Sequence, residues 1–558
     1  MSPSVVWPSS SGPRRRLLVC VALLAVLAAL GGGAGEAGAA SGPAAGVAGA
    51  GAGGAGAGAG AGPGAGAGAG AEAGAGAEAG AGAEAGAGAE AGTGAEAGTG
   101  TGAGTGTGAG TGTGAGAAGT GAGAGPGAEA GAGAEAGAAT PERARYDVSL
   151  RSDADGGHWS GRERVSFRNA SSAPLREVYL RLWGNGEDGC GTPGGPASPV
   201  VVSHVAGGTP EPPTVDCTAL RVVLPEPLAH GERTSVAFDV SVAVPDRNAR
   251  FGREGATRFL GNALPVLAVH DAKGWHLDPY VALGESFYAL AGDFRVRLDH
   301  PTALKVPATG RTRTLPGGPG RTVTLSVADR VRDFAWAAGP FRTAAETTPG
   351  GVLVRSYWAS GTPDEGVRLT RADAVASVDR FGEEFGRYPY GELDVVMTPE
   401  FGGGMEYPGL VLIGTTEEGG AVVHEVAHQW WYGIVGNDEY DAPWLDESFA
   451  QYANARFQGW DMRDCWSDVY WPDDGAELTA SMAYWSQHRN EYHLVYTAGP
   501  CALADLENTL GAGTMARLLR QYARDHRYGV STTEDFVRAA QSLTDVDLGP
   551  FWKAHHIR

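Results

Sequence analysis

"VVHEVAHQWW", residues 422–431, decides how the rest of the chain is read. His424 and His428 stand four apart, and Glu425 follows the first. Apolar Val422, Val423, Val426 and Ala427 fill the other positions, which predicts a helix. On a helix, that spacing puts both imidazoles on one face, a turn apart, where they can share one Zn²⁺ ion. Glu425 then points beside the ion rather than at it. By itself the stretch also fits a surface helix with two solvated histidines.

A catalytic zinc site needs a third protein ligand and one open position. "WLDESFAQYANARF" (444–457) supplies Glu447, 19 residues after His428. Its apolar period predicts a second helix, capped by Asp441 or a neighbour, with Pro443 in its first turn. A loop of roughly eight residues between two antiparallel helices would bring Glu447 to the histidine pair. The expected site is His424, His428 and Glu447 around one Zn²⁺ per chain. A zinc-activated water would attack a carbonyl carbon, with Glu425 as the general base that later returns the proton.

The pattern HExxH-x18-E resembles the aminopeptidase N-type zinc metallopeptidases, a branch of the gluzincins. Thermolysin-like enzymes share the ligands at a slightly longer spacing. That family carries a Gly-x-Met-Glu-Asn segment upstream, and "GGMEYPG" (403–409) is similar to it. The resemblance implies that Glu406 binds the substrate's free α-amine and that Gly403 and Gly404 lie against its backbone. "YTAG" (496–499) is similar to the family's Tyr-x-Lys-Gly segment, which implies that Tyr496 donates to the oxyanion. Tyr407 stands in place of the motif's asparagine and Ala498 in place of its lysine. The first departure bears on amino-terminal selectivity; neither touches the zinc chemistry. The resemblance spans residues 142–558 and implies a short form without the family's C-terminal helical domain.

Outward from the motif, the chain divides by composition. Residues 142–345 alternate apolar and polar side chains in short runs ("YDVSLRS", "RERVSFRN", "DFRVRLD", "RTVTLSV") separated by Gly, Pro and Asp, the period of half-buried strands. From Thr370, Val375, Val378, Phe381 and Phe385 fall on one helical face, "ELDVVM" (392–397) reads as a strand and "GLVLIG" (409–414) as a second. Beyond Val422 the pattern is helical, with Ser531 and Glu534 fitting a capping box. The expected fold is an N-terminal antiparallel β-sandwich-like domain at 141–348. A thermolysin-like zinc peptidase domain, α+β passing to α-helical, follows at 349–558.

Ahead of both lies a different kind of sequence. Arg14–Arg16 precede a 14-residue apolar run ending at Leu30, then small residues including Ala37-Gly38-Ala39. This predicts a signal peptide over 1–39, the run being short of the roughly 20 residues a membrane span needs. Residues 40–140 are almost all Gly, Ala and Thr, with glutamates every six residues from Glu72 to Glu96. Such a stretch cannot bury enough surface to offset its chain entropy and reads as a spacer. A stacked Gly-Ala sheet would set those glutamates against each other.

The expected location is therefore secreted or cell-surface, with membrane contact only through an uncleaved signal segment. A net charge of −21 argues against nucleic acid and leaves a peptide or protein as the expected partner. Cys20 falls in the apolar run. Cys190, Cys217, Cys465 and Cys501 allow three pairings in an exported protein. Proximity in the chain favours Cys190–Cys217 and Cys465–Cys501, with reduced buried thiols as the alternative. Trp430 and Trp431 read as packing, and His555 and His556 as solvated. The leading function is an exported zinc aminopeptidase. A zinc peptidase indifferent to the amino terminus, or a surface protein holding zinc without catalysis, are the competing ones.

Overall fold

The computed structural model describes residues 139–191, 197–472 and 475–558. The expectations for the signal segment, Cys20 and all but the end of the spacer lie outside the described residues. Among the described residues no helix is long and apolar enough to cross a membrane.

The N-terminal region is built on a seven-stranded sheet. Its order runs Arg311–Pro316, Arg321–Val331, Gly292–Pro301, Glu142–Ser152, His158–Arg168, Arg233–Ala243, Val200–Ala206. A four-stranded sheet containing Leu175–Arg181 and Ala219–Leu228 faces it. Alternate residues of both, among them Val148, Trp159, Val165, Leu180, Val222 and Phe238, form one buried core. The predicted alternation holds, but the sheet is not wholly antiparallel. Glu142–Ser152 pairs in parallel with Gly292–Pro301. Some 140 residues separate these strands, so no hairpin constrains their direction.

The second region opens on a five-stranded sheet: β1 (Arg342–Thr347), β2 (Leu353–Trp358), β3 (Glu392–Thr398), β4 (Gly404–Met405) and β5 (Leu410–Gly414), in the order β1-β2-β3-β5-β4. β1 lies ahead of residue 349, where this region was expected to begin. Helix α1 (Asp364–Phe385) carries the chain from β2 to its parallel neighbour β3 and buries Val378, Phe381 and Phe385. Every residue of β3 is buried, as a central strand covered on both faces requires. β4 is short and ends the sheet beside the zinc motif.

Among the described residues seven further α-helices follow: α2 (Val422–Ala427), α3 (Trp444–Gln458), α4 (Met482–Gln487), α5 (Leu494–Leu510), α6 (Ala512–Asp525), α7 (Thr533–Gln541) and α8 (Gly549–Ala554). α3 is buried from Trp444 to Ala455, a helix enclosed on all sides. Three details differ from expectation. Pro443, not Asp441, flanks α3, with no side-chain cap. The capping box of α7 is Thr532 with Asp535, one residue later than the Ser531–Glu534 pair, because Ser531 is buried against the Tyr522 hydroxyl. His555 is buried and bonded to Asp505 at 3.1 Å, and His556 stacks on Trp471. Trp430 and Trp431 are wholly interior. Both disulfides, Cys190–Cys217 and Cys465–Cys501, are formed. Asn169, which with Ala170 and Ser171 matches a glycosylation sequon, is turned inward, its amide donating to the Ala173 and Leu228 carbonyls.

The two regions meet along a polar seam. His276, from the sheet region, lies 2.9 Å from Asp271 and 3.1 Å from Asp438. Asp438 sits in the connector between α2 and α3. Its hydrogen bond, with that of Asp271, raises the His276 pKa to about 9 although burial opposes this. A folded-state pKa above the ordinary 6.5 means the contribution is full below pH 6.5 and is lost as pH rises through 9. On the order of 2 kcal/mol should disappear across that window. A thermal melt series should show Tm falling between pH 6.5 and 9 in the native protein. His276→Gln should flatten that slope; an unchanged slope would remove His276 as its source.

Candidate metal centre and active site

Helix α2 is only six residues long, yet the expected spacing survives its end. His428 flanks the last turn, and its N–H still bonds the His424 carbonyl at 3.3 Å. The chain then turns, and residues 428–443, twice the expected loop, lead to α3. Glu447 occupies the first turn of α3 and returns to the histidines.

The three donor atoms form a triangle. His424 Nε2 lies 3.1 Å from Glu447 Oε2 and 3.1 Å from His428 Nε2, and the third edge is 3.4 Å. Tetrahedral ligands about 2.05 Å from a zinc ion would be about 3.3 Å apart. The far nitrogens fix the tautomers. His424 Nδ1 donates to Gln451 Oε1 at 3.1 Å, and His428 Nδ1 to the Trp431 carbonyl at 3.0 Å. Both Nε2 atoms therefore present lone pairs to each other and to a carboxylate, an arrangement that suits a cation. All three residues are buried. The donor set fits Zn²⁺, with two imidazoles and one carboxylate leaving a fourth position open.

Burial works to raise the Glu447 carboxyl, but with no cation at the triad, protons on His428 and His424 hold it well below the usual range. Burial, then the charges of Glu406, Glu447 and Glu285, push Glu425 well above it. A dication at the triad acts in the opposite sense. Glu425 is wedged against β4. A Cβ on Gly404 would fall 2.2 Å from Glu425 Oε1, so this position needs glycine. Gly403, at φ +81°, gives its carbonyl to Gly414 N–H at 2.8 Å.

Tyr496 lies inside the first turn of α5. Its ring is 6.1 Å from that of His424, with the hydroxyl against Glu447. Burial and that carboxylate hold the phenol protonated, well above its ordinary range, so it stays a donor. Pro500 in α5 lacks the N–H that would have bonded the Tyr496 carbonyl. One residue along each helix, Ser448 Oγ donates to the Val495 carbonyl at 2.7 Å, and a Cβ on Gly499 would meet that Oγ at 1.9 Å. This contact sets Tyr496 opposite Glu447.

Glu406 lies in the loop between β4 and β5 and is buried. Burial raises its pKa to about 7, with His428 pulling it down and Glu447 pushing it up. The sheet region contributes Glu285, buried and paired with Arg250 at 2.8 Å. Burial raises Glu285 to about 8, against the pull of Arg250 and with a push from Glu406 and Glu447. Glu285 and Arg250 carry no local motif, and only the fold brings them here. Gln451 was within reach of the pattern, since it stands four residues after Glu447 on the same helical face.

Residues 373–555 match the family described as the Peptidase family M1 domain. "Aminopeptidase M1" of Arabidopsis thaliana is 27% identical over 238 residues, covering 37% of this chain and 27% of that protein. "Aminopeptidase N" of Lactobacillus delbrueckii subsp. lactis is 25% identical over 256 residues, covering 38% and 29%. The chain thus spans little more than a quarter of these relatives' length. An M1 zinc metallopeptidase from Deinococcus radiodurans shares the fold, with a TM-score of 0.57 at 18% identity over 75% of this chain and 94% of that one. A two-domain M1 zinc metallopeptidase variant bound to L-tryptophan gives a TM-score of 0.57 at 18% identity, covering 76% and 95%. Residues 373–555 thus carry a peptidase family M1 domain, and the chain is similar to aminopeptidases of the N type.

Proposed function

We propose that this protein is an exported zinc aminopeptidase that removes residues from the amino end of peptides. The observation that carries the reading is the triangle of His424, His428 and Glu447 donor atoms with the Glu425 carboxylate packed beside it against Gly404. When bound, zinc supplies a Lewis acid for the scissile carbonyl and lowers the pKa of a coordinated water. Glu425 takes the proton from the attacking water and passes it to the leaving amine. Tyr496 donates its hydroxyl to the oxygen on which negative charge develops. β4 is the free edge of its sheet, and Gly403 and Gly404 let a substrate backbone approach it.

Glu406, with Glu285 nearby, gives the amino end of the cleft its selectivity. A free ammonium there neutralises buried carboxylate charge, and a blocked amino terminus does not. Export is supported by the basic-apolar-small pattern of residues 14–39 and by two disulfides, which persist in oxidising compartments. The test compares a peptide with its N-acetylated form. Turnover of the free peptide should exceed that of the blocked one by about a hundredfold or more, the cost of leaving a buried charge unpaired. Equal turnover would reject amino-terminal selectivity; cleavage of neither would favour a zinc-holding binding protein.

A further inference from the structure

Tyr407 is where the Glu406 loop departs from the family's pattern. Its side chain is buried, and its hydroxyl donates to Asn262 Oδ1 at 2.8 Å. Asn262 belongs to the sheet region and passes the connection on, its Nδ2 donating to Asp333 Oδ2 at 3.0 Å. Asp333 Oδ2 also accepts from the Tyr432 hydroxyl at 2.8 Å. Tyr432 stands four residues beyond His428, and its carbonyl is held by the buried Arg332 at 2.8 Å. The chain of bonds therefore leaves the Glu406 loop, crosses two residues of the sheet region and returns to the segment that follows the zinc helix.

Three features show that this path is built. All four side chains are buried. Gly261 makes room for it, since a Cβ there would fall 1.9 Å from the Tyr407 hydroxyl. Asn262 at φ +52° and Tyr432 at φ +134° hold backbone conformations that cost energy in a side-chain-bearing residue and persist only where surroundings enforce them. From the other side, Gln429 fastens the same loop through its backbone. Gln429 Nε2 donates to the Glu406 carbonyl at 3.0 Å and the Tyr407 carbonyl at 3.3 Å, and Oε1 accepts from Gly409 N–H at 2.8 Å. Gln429 is next to His428, so this clamp refers the loop to the zinc motif.

We infer that Tyr407 is a positioning residue for amine recognition. Its hydroxyl, held by Asn262, Asp333 and Tyr432, fixes the direction in which Glu406 enters the cleft. Gln429 holds the loop by its backbone; the phenol, one residue from Glu406, ties a side chain of the loop to the sheet region as well. The residue standing in place of the motif's asparagine thus spends its hydroxyl on the protein itself. This inference rests on Glu406 being the amine-binding carboxylate.

The test is steady-state kinetics on an unblocked peptide, with zinc content and Tm measured alongside. Tyr407→Phe should raise KM about tenfold, or about 1.4 kcal/mol, while kcat stays within about twofold and zinc is retained. Tyr432→Phe, at the far end of the chain, should raise KM by about threefold in the same way. Should Tyr407→Phe fail to fold, Tyr432→Phe carries the test. A KM within experimental error of the native value, or a fall in kcat at unchanged KM, would overturn the inference. Equal native turnover of free and N-acetylated peptides would instead overturn the underlying reading of Glu406.

Discussion

His424→Ala is expected to strip the protein of its zinc and reduce hydrolysis to background. The reasoning starts from the triangle. Its edges of 3.1, 3.1 and 3.4 Å are close to those a tetrahedral ion would require, and each imidazole is oriented by a bond on its far nitrogen. Removing one corner leaves two donors. Losing one protein ligand of three costs on the order of 3 kcal/mol or more of metal affinity, above a hundredfold. Glu447 meanwhile stays buried but loses the imidazole, 3.1 Å away, that would share the ion with it. Metal analysis after exhaustive dialysis should give about one zinc per native chain and close to none in the variant. Full occupancy in the variant would sink the ligand assignment.

Glu425→Gln should behave in the opposite way for metal and similarly for turnover. Glutamine has nearly the same shape, so it can keep the contact with Gly404 and leave the triad undisturbed. It cannot accept the proton of an attacking water. General base catalysis is worth typically 10²–10⁴-fold, so kcat should fall by about 10³-fold with zinc still near one per chain. Retained turnover would take Glu425 out of the mechanism. A loss of zinc together with activity would instead mean that the side chain supports the metal site.

The cluster of candidate metal ligands was legible because its members come from two segments close in sequence and helical geometry fixes their spacing. His424, Glu425, His428 and Glu447 needed only the period of a helix and one return of the chain. The length of that return was misjudged, since the short turn at Trp430–Gly433 closes on backbone bonds that no residue pattern announces. The β-region's alternation was visible because one face of each strand is buried. Its parallel pair was hidden, since pairing between distant strands leaves no local trace. Glu285, Arg250, Asn262 and Asp333 were invisible for the same reason. None belongs to a local motif, and only the folded chain brings them near the Glu406 loop. Tyr407 was noticed as a departure, but its partner lies 145 residues away.

Ser448 and Gly499 touch where not even a methyl group would fit between helices α3 and α5. Interiors packed this closely are nearly incompressible. The Glu447 carboxylate and the Tyr496 phenol across from it are thus mounted on a single stiff frame. Thermal jitter carries them together, so their separation is steadier than the position of either.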